Sequence, residues 1–203
     1  MTRKYPKIIA TLNFKGGVGK TTVTRCLGNV ASAFSDSKVL LFDLDAQMSL
    51  TQAISLNEDG SLYENFQTWY EASIDKRKTI VDALNKFVKR TQCFYFPTDF
   101  DFIYQLTENL HFVPSVEDLY WMELEGFDRE AVKDFIWYFM RQLLEKIAIS
   151  RKLPDYDYVL FDCPPLKLSV AIIFGYFLVI NISSLLFVKV NGYYPFEGIA
   201  SVN

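Results

Sequence analysis

The stretch of sequence that decides the fold runs Lys15-Gly16-Gly17-Val18-Gly19-Lys20-Thr21-Thr22. Glycines let the backbone curl so that successive N–H groups point at one centre, and a helix that begins there adds partial positive charge. Between a strand and a helix, such a stretch is typical of a loop that cradles phosphate groups. Lys20 then reaches the β- and γ-phosphates, and the Thr21 hydroxyl is placed to ligate Mg²⁺.

This loop departs from the ordinary pattern G-x-x-x-x-G-K-[ST] at its first position. Phe14 stands where that pattern has glycine, and an additional lysine, Lys15, lies at the entrance of the loop. The alternative interpretation is a glycine-rich turn with ordinary surface lysines. With each residue type at ~5–7% usage, seven specified positions arise by chance in about one chain in a million, which favours the phosphate loop.

Short apolar runs predict the strands of a sheet, because strands covered on both faces are apolar throughout. The four runs are Lys7–Phe14, Lys38–Asp43, Tyr156–Asp162 and Ser184–Val190. The long segment 61–114 is aromatic and mixed in pattern, and it gives the weakest prediction of structure.

Helical spacing predicts two amphipathic helices, Thr21–Phe34 and Asp128–Ile149. The first has one apolar face that carries Val23, Leu27, Val30, Ala31 and Phe34. Strands that alternate with helices predict an α/β fold, with a mostly parallel sheet between helices on both faces. The fold class is therefore a three-layer α/β/α architecture, similar to that of the P-loop nucleoside triphosphatases.

Length and composition agree with one compact domain over residues 1–203. Half of the residues are hydrophobic, which excludes a disordered or fibrous chain. The 21 basic and 24 acidic residues give a net charge of -3, which argues against a surface built all over for nucleic acid. The three cysteines have no paired spacing, so they suit a reducing cytosol and give no zinc signature.

One run near the end of the chain has the length of a membrane span. Leu168–Val188 contains 21 residues without a charge. The alternative is a helix followed by a buried parallel strand, which is also apolar throughout. We favour this second interpretation, because a span that began three residues after Pro165 would pull the preceding strand out of the sheet.

Aspartates close two of the predicted strands. Ligands of open parallel sheets lie at the carboxyl ends of the strands, so these acids are expected to converge on the phosphate loop. Asp162 is predicted to hold the Mg²⁺ shell through water, and Asp45 to orient the attacking water. Asp43 either supports the metal shell or caps the following turn. Taken one by one, each aspartate is also an ordinary strand-end turn residue.

Three motifs, taken together in their order along the chain, resemble those of the ParA/MinD family of deviant Walker-A ATPases, and the ParA partition branch is the nearest. They are KGGVGKTT at 15–22, LLFDLDAQ at 40–47 and YDYVLFDCPP at 156–165. The resemblance covers about residues 7–165, and residues 112–115 resemble a further short element of the family.

The resemblance implies a cycle of dimerisation and hydrolysis. Such proteins form a homodimer around ATP and Mg²⁺, and the dimer binds DNA without sequence preference. An adaptor protein then stimulates hydrolysis, and the cycle positions a plasmid, a chromosome or another large cargo on the nucleoid in the cytoplasm, with no stable membrane association. The choice of ATP over GTP rests on the resemblance alone.

The resemblance also assigns the site residues. Lys15 matches the signature lysine that reaches across the dimer to the phosphates of the other subunit. The catalytic residues implied are Lys15, Lys20 and Asp45. The metal residues implied are Thr21 and Asp162, and the position of Asp43 at a strand end adds it as a third candidate. The nucleotide-binding residues are Lys15, Gly16, Gly17, Val18, Gly19, Lys20, Thr21 and Thr22.

The sequence departs from the family in several places. Ala46 and Lys189 stand where the family has prolines, and no DNA-binding extension precedes the first strand. The chain stops at Asn203, where the family continues for roughly a further third, so residues 166–203 are expected to be divergent and truncated. This end of the chain suggests the alternative of a nucleotide-binding module without turnover, and the apolar run Leu168–Val188 suggests that of a membrane-inserted protein.

Overall fold

A computed structural model of the chain describes residues 5–13, 15–55, 70–71, 78–89, 100–120, 130–164 and 185–189. The strands are β1 (Lys7–Leu12), β2 (Val39–Asp43), β3 (Tyr104–Gln105), β4 (Leu110–Val113), β5 (Tyr158–Asp162) and β6 (Leu185–Lys189). The longer helices are α1 (Lys20–Phe34), α2 (Ser49–Ser55), α3 (Ile80–Lys89) and α4 (Glu130–Ile149).

The strands form one sheet in the order β3-β4-β2-β5-β1-β6. All neighbours are parallel except β3 and β4, which are antiparallel. The four strands predicted from apolar runs are confirmed, with ends that shift by one or two residues. By contrast, β3 and β4 lie in the segment 61–114, for which the pattern gave no definite structure.

Helices cover both faces of the sheet, as the sequence predicted. Leu40 and Phe42 of β2 pack in a cluster with α3 and α4, whereas Val39 and Leu41 pack in a second cluster with α2 and Ala31 of α1. Successive side chains of a strand point to opposite faces, so these two clusters are the apolar cores between the sheet and the helix layers on its two faces. The mostly parallel, three-layer α/β/α fold is therefore confirmed.

The long helix α4 supplies much of the core on its side of the sheet. The side chains described on its apolar face are buried, as its spacing predicted: Phe139, Met140, Leu143, Leu144 and Ile147. The helix begins at Glu130, two residues after the predicted start.

Helix α1 packs against the sheet through a different face from its apolar one. Thr24, Gly28 and Ser32 are buried, four residues apart. Phe34 is 86% exposed and Val30 54% exposed. A Cβ on Gly28 would lie 2.8 Å from Leu41 Cδ2, so the helix approaches the sheet too closely for a large side chain. A face of small residues therefore lies against the sheet, while Val30 and Phe34 of the apolar face stay exposed.

No helix within the described part of the chain is long and apolar enough to cross a membrane. Of the apolar run Leu168–Val188, residues 168–184 lie outside the described residues. Residues 185–188 belong to β6, which pairs with β1 in the register Ile8 to Leu185. The strand interpretation is therefore confirmed for that part of the run.

Candidate functional site

The loop between β1 and α1 has the backbone of a tight glycine turn. Gly17 has a φ of 70° and Gly19 a φ of 89°, in the left-handed region that favours glycine. The Val23 amide donates to the Gly19 carbonyl at 2.9 Å, which starts the helix directly behind the turn. The Lys15 amide donates to Asn13 Oδ1 at 3.0 Å, while Phe14 lies outside the described residues. The predicted strand–loop–helix unit is therefore present.

The predicted loop residues differ in exposure. The entrance, Lys15 to Gly17, is exposed, and Thr22 is exposed on the first turn of the helix. Val18 and Gly19 are half-buried, and Thr21 is half-buried beside them. Lys20 is buried, with 8% of its surface exposed. Its charge interacts with Asp162, described next, whose pKa it lowers.

Asp162, at the end of β5, lies beside the first turn of α1. Thr21 Oγ1 donates to its Oδ2 at 2.7 Å, and Thr24 Oγ1 lies 3.5 Å from its Oδ1. Burial raises the pKa of Asp162 to about 6; Thr21 and Lys20 lower this pKa and Asp45 raises it. The raised pKa shows that the hydrogen bonds and the Lys20 charge do not fully offset the cost of burying the charged carboxylate. A cation bound beside Asp162 would therefore stabilise its charged form.

Asp43, at the end of β2, is the register partner of Asp162 and is fully buried. Its Oδ1 accepts a hydrogen bond from the Asp45 amide at 3.0 Å, and its Oδ2 accepts two from Thr51. Burial and the charge of Asp162 raise the pKa of Asp43 to about 7. Three of the roughly four acceptor positions of a carboxylate are thereby used. This geometry matches the turn-capping role, one of the two roles that the sequence left open.

Asp45 lies two residues beyond the end of β2, in a loop that is hydrogen-bonded to the end of β5. Its Oδ1 accepts from the Gln47 amide at 2.9 Å, and its carbonyl accepts from the Met48 amide at 2.9 Å. The Leu44 amide donates to the Asp162 carbonyl at 3.0 Å. Asp45 also raises the pKa of Asp162, so the two carboxylates lie within electrostatic range of each other. The structure joins Thr21 to Asp162 by a hydrogen bond and places Lys20 and Asp45 within electrostatic range of Asp162.

Magnesium fits the donors at this place, although the protein alone does not complete a cage. Among the described residues, no group of three or more His, Cys, Asp or Glu side chains is arranged to hold a metal ion. Mg²⁺ at nucleotide sites uses one or two carboxylates together with phosphate and water oxygens. The Thr21 hydroxyl and the buried Asp162 carboxylate are hard oxygen donors of that kind.

Sequence reasoning missed two threonines that contact the acids. Thr24 is three residues after Thr21 and therefore lies on the same face of the helix. The helical spacing of the sequence could have predicted this contact. Thr51 reaches Asp43 from α2, which folds back against the end of β2. No local pattern marks Thr51, since its contact depends on where α2 packs.

The class of P-loop nucleotide-binding α/β domains is defined by a mostly parallel sheet, a glycine loop between the first strand and first helix, and acids at the ends of two adjacent strands. This chain has all three features. The family model described as "AAA domain" matches residues 6–202. The chain belongs to this family, and its similarity to Soj- and ParA-type proteins makes it a member of the ParA/MinD type.

Two curated relatives illustrate the similarity. The sporulation initiation inhibitor protein Soj of Bacillus subtilis is 30% identical over 159 residues, which is 78% of this chain and 50% of Soj. The chromosome partitioning protein ParA of Myxococcus xanthus is 28% identical over 159 residues, 78% of this chain and 44% of the relative. The chain spans about half the length of these relatives.

Solved structures show the same fold. A putative plasmid partition protein of Borrelia burgdorferi bound to AMPPNP matches with a TM-score of 0.56 and 23% identity, over 85% of this chain and 60% of that one. Cobyrinic acid a,c-diamide synthase of Mycobacterium smegmatis with ADP and magnesium matches with a TM-score of 0.54 and 20% identity, over 90% of this chain and 72% of that one. At these identities the match concerns the fold alone.

Proposed function

We propose that this chain binds ATP and Mg²⁺ at the β1–α1 loop and acts as the nucleotide switch of a ParA-type partition ATPase. The observation that carries the proposal is the hydrogen bond from Thr21 to Asp162, with Lys20 and Asp45 beside it. This arrangement supports a site for a polyphosphate and its cation. The names of the relatives, which include a chromosome partitioning protein, support the role in partition.

Each residue at the loop has a proposed task. The backbone amides of the loop and the Lys20 ammonium would bind the phosphates, because both present positive charge to the same point. Asp45 would orient the water that attacks the terminal phosphate. Lys15, exposed at the entrance, would contact the phosphates bound by a second copy of the chain and stabilise the charge that develops there.

The metal would be held by the Thr21 hydroxyl and, through water, by Asp162. When bound, Mg²⁺ neutralises charge on the phosphate oxygens. In this proposal Asp43 is not itself a metal ligand. It supports Asp45 by accepting a hydrogen bond from the Asp45 amide.

Beyond the site, the proposal takes its partners from the resemblance. ATP would bring two copies of the chain together, and the dimer would bind DNA without sequence preference on the nucleoid. A stimulating adaptor protein would trigger hydrolysis, which releases the dimer and moves a plasmid, chromosome or other large cargo.

Nucleotide titration and phosphate release test the assignment. Lys20→Ala should abolish ATP binding, whereas Asp45→Ala should keep binding and stop turnover. Lys152→Ala, which removes an exposed lysine outside the site, is the matched control and should change neither. Unchanged hydrolysis in Asp45→Ala would contradict the assignment.

The same assays address the alternative of a binding module without turnover. The observation behind that alternative is that the chain spans about half the length of its curated relatives. ATP binding without phosphate release, in the presence of Mg²⁺ and DNA, would support the module. Turnover stimulated by an added partner protein would rule it out.

A further inference from the structure

One buried carboxylate connects α2 to the backbone of Asp45. Thr51, completely buried in α2, donates two hydrogen bonds to Asp43 Oδ2, from its amide at 2.8 Å and from its hydroxyl at 2.7 Å. The other oxygen, Asp43 Oδ1, accepts from the Asp45 amide at 3.0 Å. The orientation of the Asp43 carboxylate therefore depends on α2 at one end and determines the Asp45 backbone at the other.

The Thr51 hydroxyl also accepts a hydrogen bond. The amide of Ser115, just beyond the end of β4, donates to Thr51 Oγ1 at 3.0 Å. A hydroxyl can donate and accept at the same time, which a methyl group of the same size cannot do. Three segments thus meet at one hydroxyl: the end of β2, α2 and the segment that follows β4.

This geometry bears on turnover more than on nucleotide binding. Thr51 contacts Asp43, whereas the phosphate loop is contacted by Asp162. A displacement of about 1 Å in a group that orients a reactant is enough to lower a rate by roughly 100-fold. Loss of the hydroxyl would leave the Thr51 amide as the remaining Thr51 donor to Asp43 Oδ2, so the carboxylate would be held less firmly in the orientation that accepts from the Asp45 amide.

We propose that Thr51 is a positioning residue for hydrolysis, which acts by holding the Asp43 carboxylate in the orientation that fixes the backbone of Asp45. This inference rests on the proposed function. It adds to the site a residue that neither touches the nucleotide nor belongs to a motif of the sequence.

The experiment measures kcat and KM for phosphate release, and the Kd of a non-hydrolysable ATP analogue, in the purified chain with Mg²⁺. Thr51→Val keeps the shape of the side chain and removes its hydroxyl; kcat should fall at least ~10-fold, while Kd changes less than about 2-fold. Thr51→Ser should restore most of kcat. Ser32→Ala, which removes a hydrogen-bonded hydroxyl in α1 far along the helix from the loop, is the control and should keep kcat.

Several outcomes would overturn the inference. Equal kcat in Thr51→Val and the wild type would do so, and so would a Thr51→Ser variant as slow as Thr51→Val. A fall in kcat with an equal loss of analogue affinity would reveal a general structural role. If Thr51→Val does not fold, Thr51→Ala replaces it under the same criteria. Absence of phosphate release by the wild type would overturn the proposed function, and this inference with it.

Discussion

Thr21 Oγ1 donates a hydrogen bond of 2.7 Å to Asp162 Oδ2, and this bond joins the first turn of α1 to the carboxyl end of β5. The two residues are 141 positions apart in the sequence. The bond couples the loop predicted to bind phosphate to the acid predicted to hold the cation. The Asp162 carboxylate is buried, and the charge of Lys20 lowers its pKa.

The first prediction concerns the charge of Asp162. Asp162→Asn removes a buried charge whose pKa is raised to about 6, so the protein without nucleotide should be stabilised. For each kcal/mol gained, the melting temperature should rise by about 2–4 °C. The additional stabilisation that Mg²⁺ gives in the presence of ATP should be lost. Thermal unfolding with ATP, with and without Mg²⁺, measures both effects. An unchanged Mg²⁺ effect in the variant would contradict the metal assignment.

The second prediction is the pH dependence of that stabilisation. The pKa of Asp162 is 3.8 in its ordinary state and about 6 in the folded chain, so the folded state binds more protons between these values. The contribution of this group to the free energy of unfolding is therefore present below pH 4 and is lost as the pH rises through 6. Denaturation at pH 5 and pH 8 should show a larger advantage of Asp162→Asn at pH 8. A larger advantage at pH 5 would show that the sign is wrong.

The third prediction concerns His111 in β4, whose effect on the pH dependence of stability is opposite in sign to that of Asp162. Its Nδ1 lies 2.6 Å from the Tyr156 hydroxyl, and burial together with Lys38 lowers its pKa below the ordinary 6.5. The unfolded state then binds more protons near and below pH 6.5, so His111 should make the wild type lose stability as the pH falls through this range. In His111→Gln this part of the pH dependence should disappear. Parallel denaturant titrations from pH 7.5 to 5.5 would measure it, and identical pH slopes would refute it.

The fourth prediction tests the close approach of α1 to the sheet. Gly28→Ala places a Cβ 2.8 Å from Leu41 Cδ2, which should cost about 1–3 kcal/mol of the free energy of unfolding by overpacking. Alanine's better helix propensity, worth about 1 kcal/mol, offsets part of this cost. Leu41→Val in the same background should recover some stability. The neighbouring Asn29→Ala is the exposed control, and a stabilised Gly28→Ala would contradict the packing.

The fifth prediction concerns the apolar residues that α1 leaves exposed. Phe34→Gln should change the free energy of unfolding by less than about 0.5 kcal/mol, because Phe34 is 86% exposed. Phe139→Ala, in the core beneath α4, should cost about 3–5 kcal/mol. Chemical denaturation of the two variants against the wild type makes the comparison. Similar losses in both would show that Phe34 is buried.

Much of the site was predictable because its signals are local. The glycine loop specifies its own backbone, since Gly17 and Gly19 take φ values that other residues avoid. The two acids follow apolar runs that can hardly form anything but buried strands. Parallel pairing then brings the carboxyl ends of those strands to one edge, so the meeting of Asp45 and Asp162 near the loop follows from the pattern.

What the sequence by itself determined is four of the six described strands, the helices α1 and α4, the phosphate loop and the acids at two strand ends, because each of these depends on a few neighbouring residues. Tertiary structure alone decided which face of α1 is buried, since Gly28 lies against Leu41 while Val30 and Phe34 of the apolar face stay exposed. It also decided that Thr51 holds Asp43, because this contact exists only after α2 has packed against the sheet. Contacts between distant segments depend on packing distances, and periodicity carries no information about those.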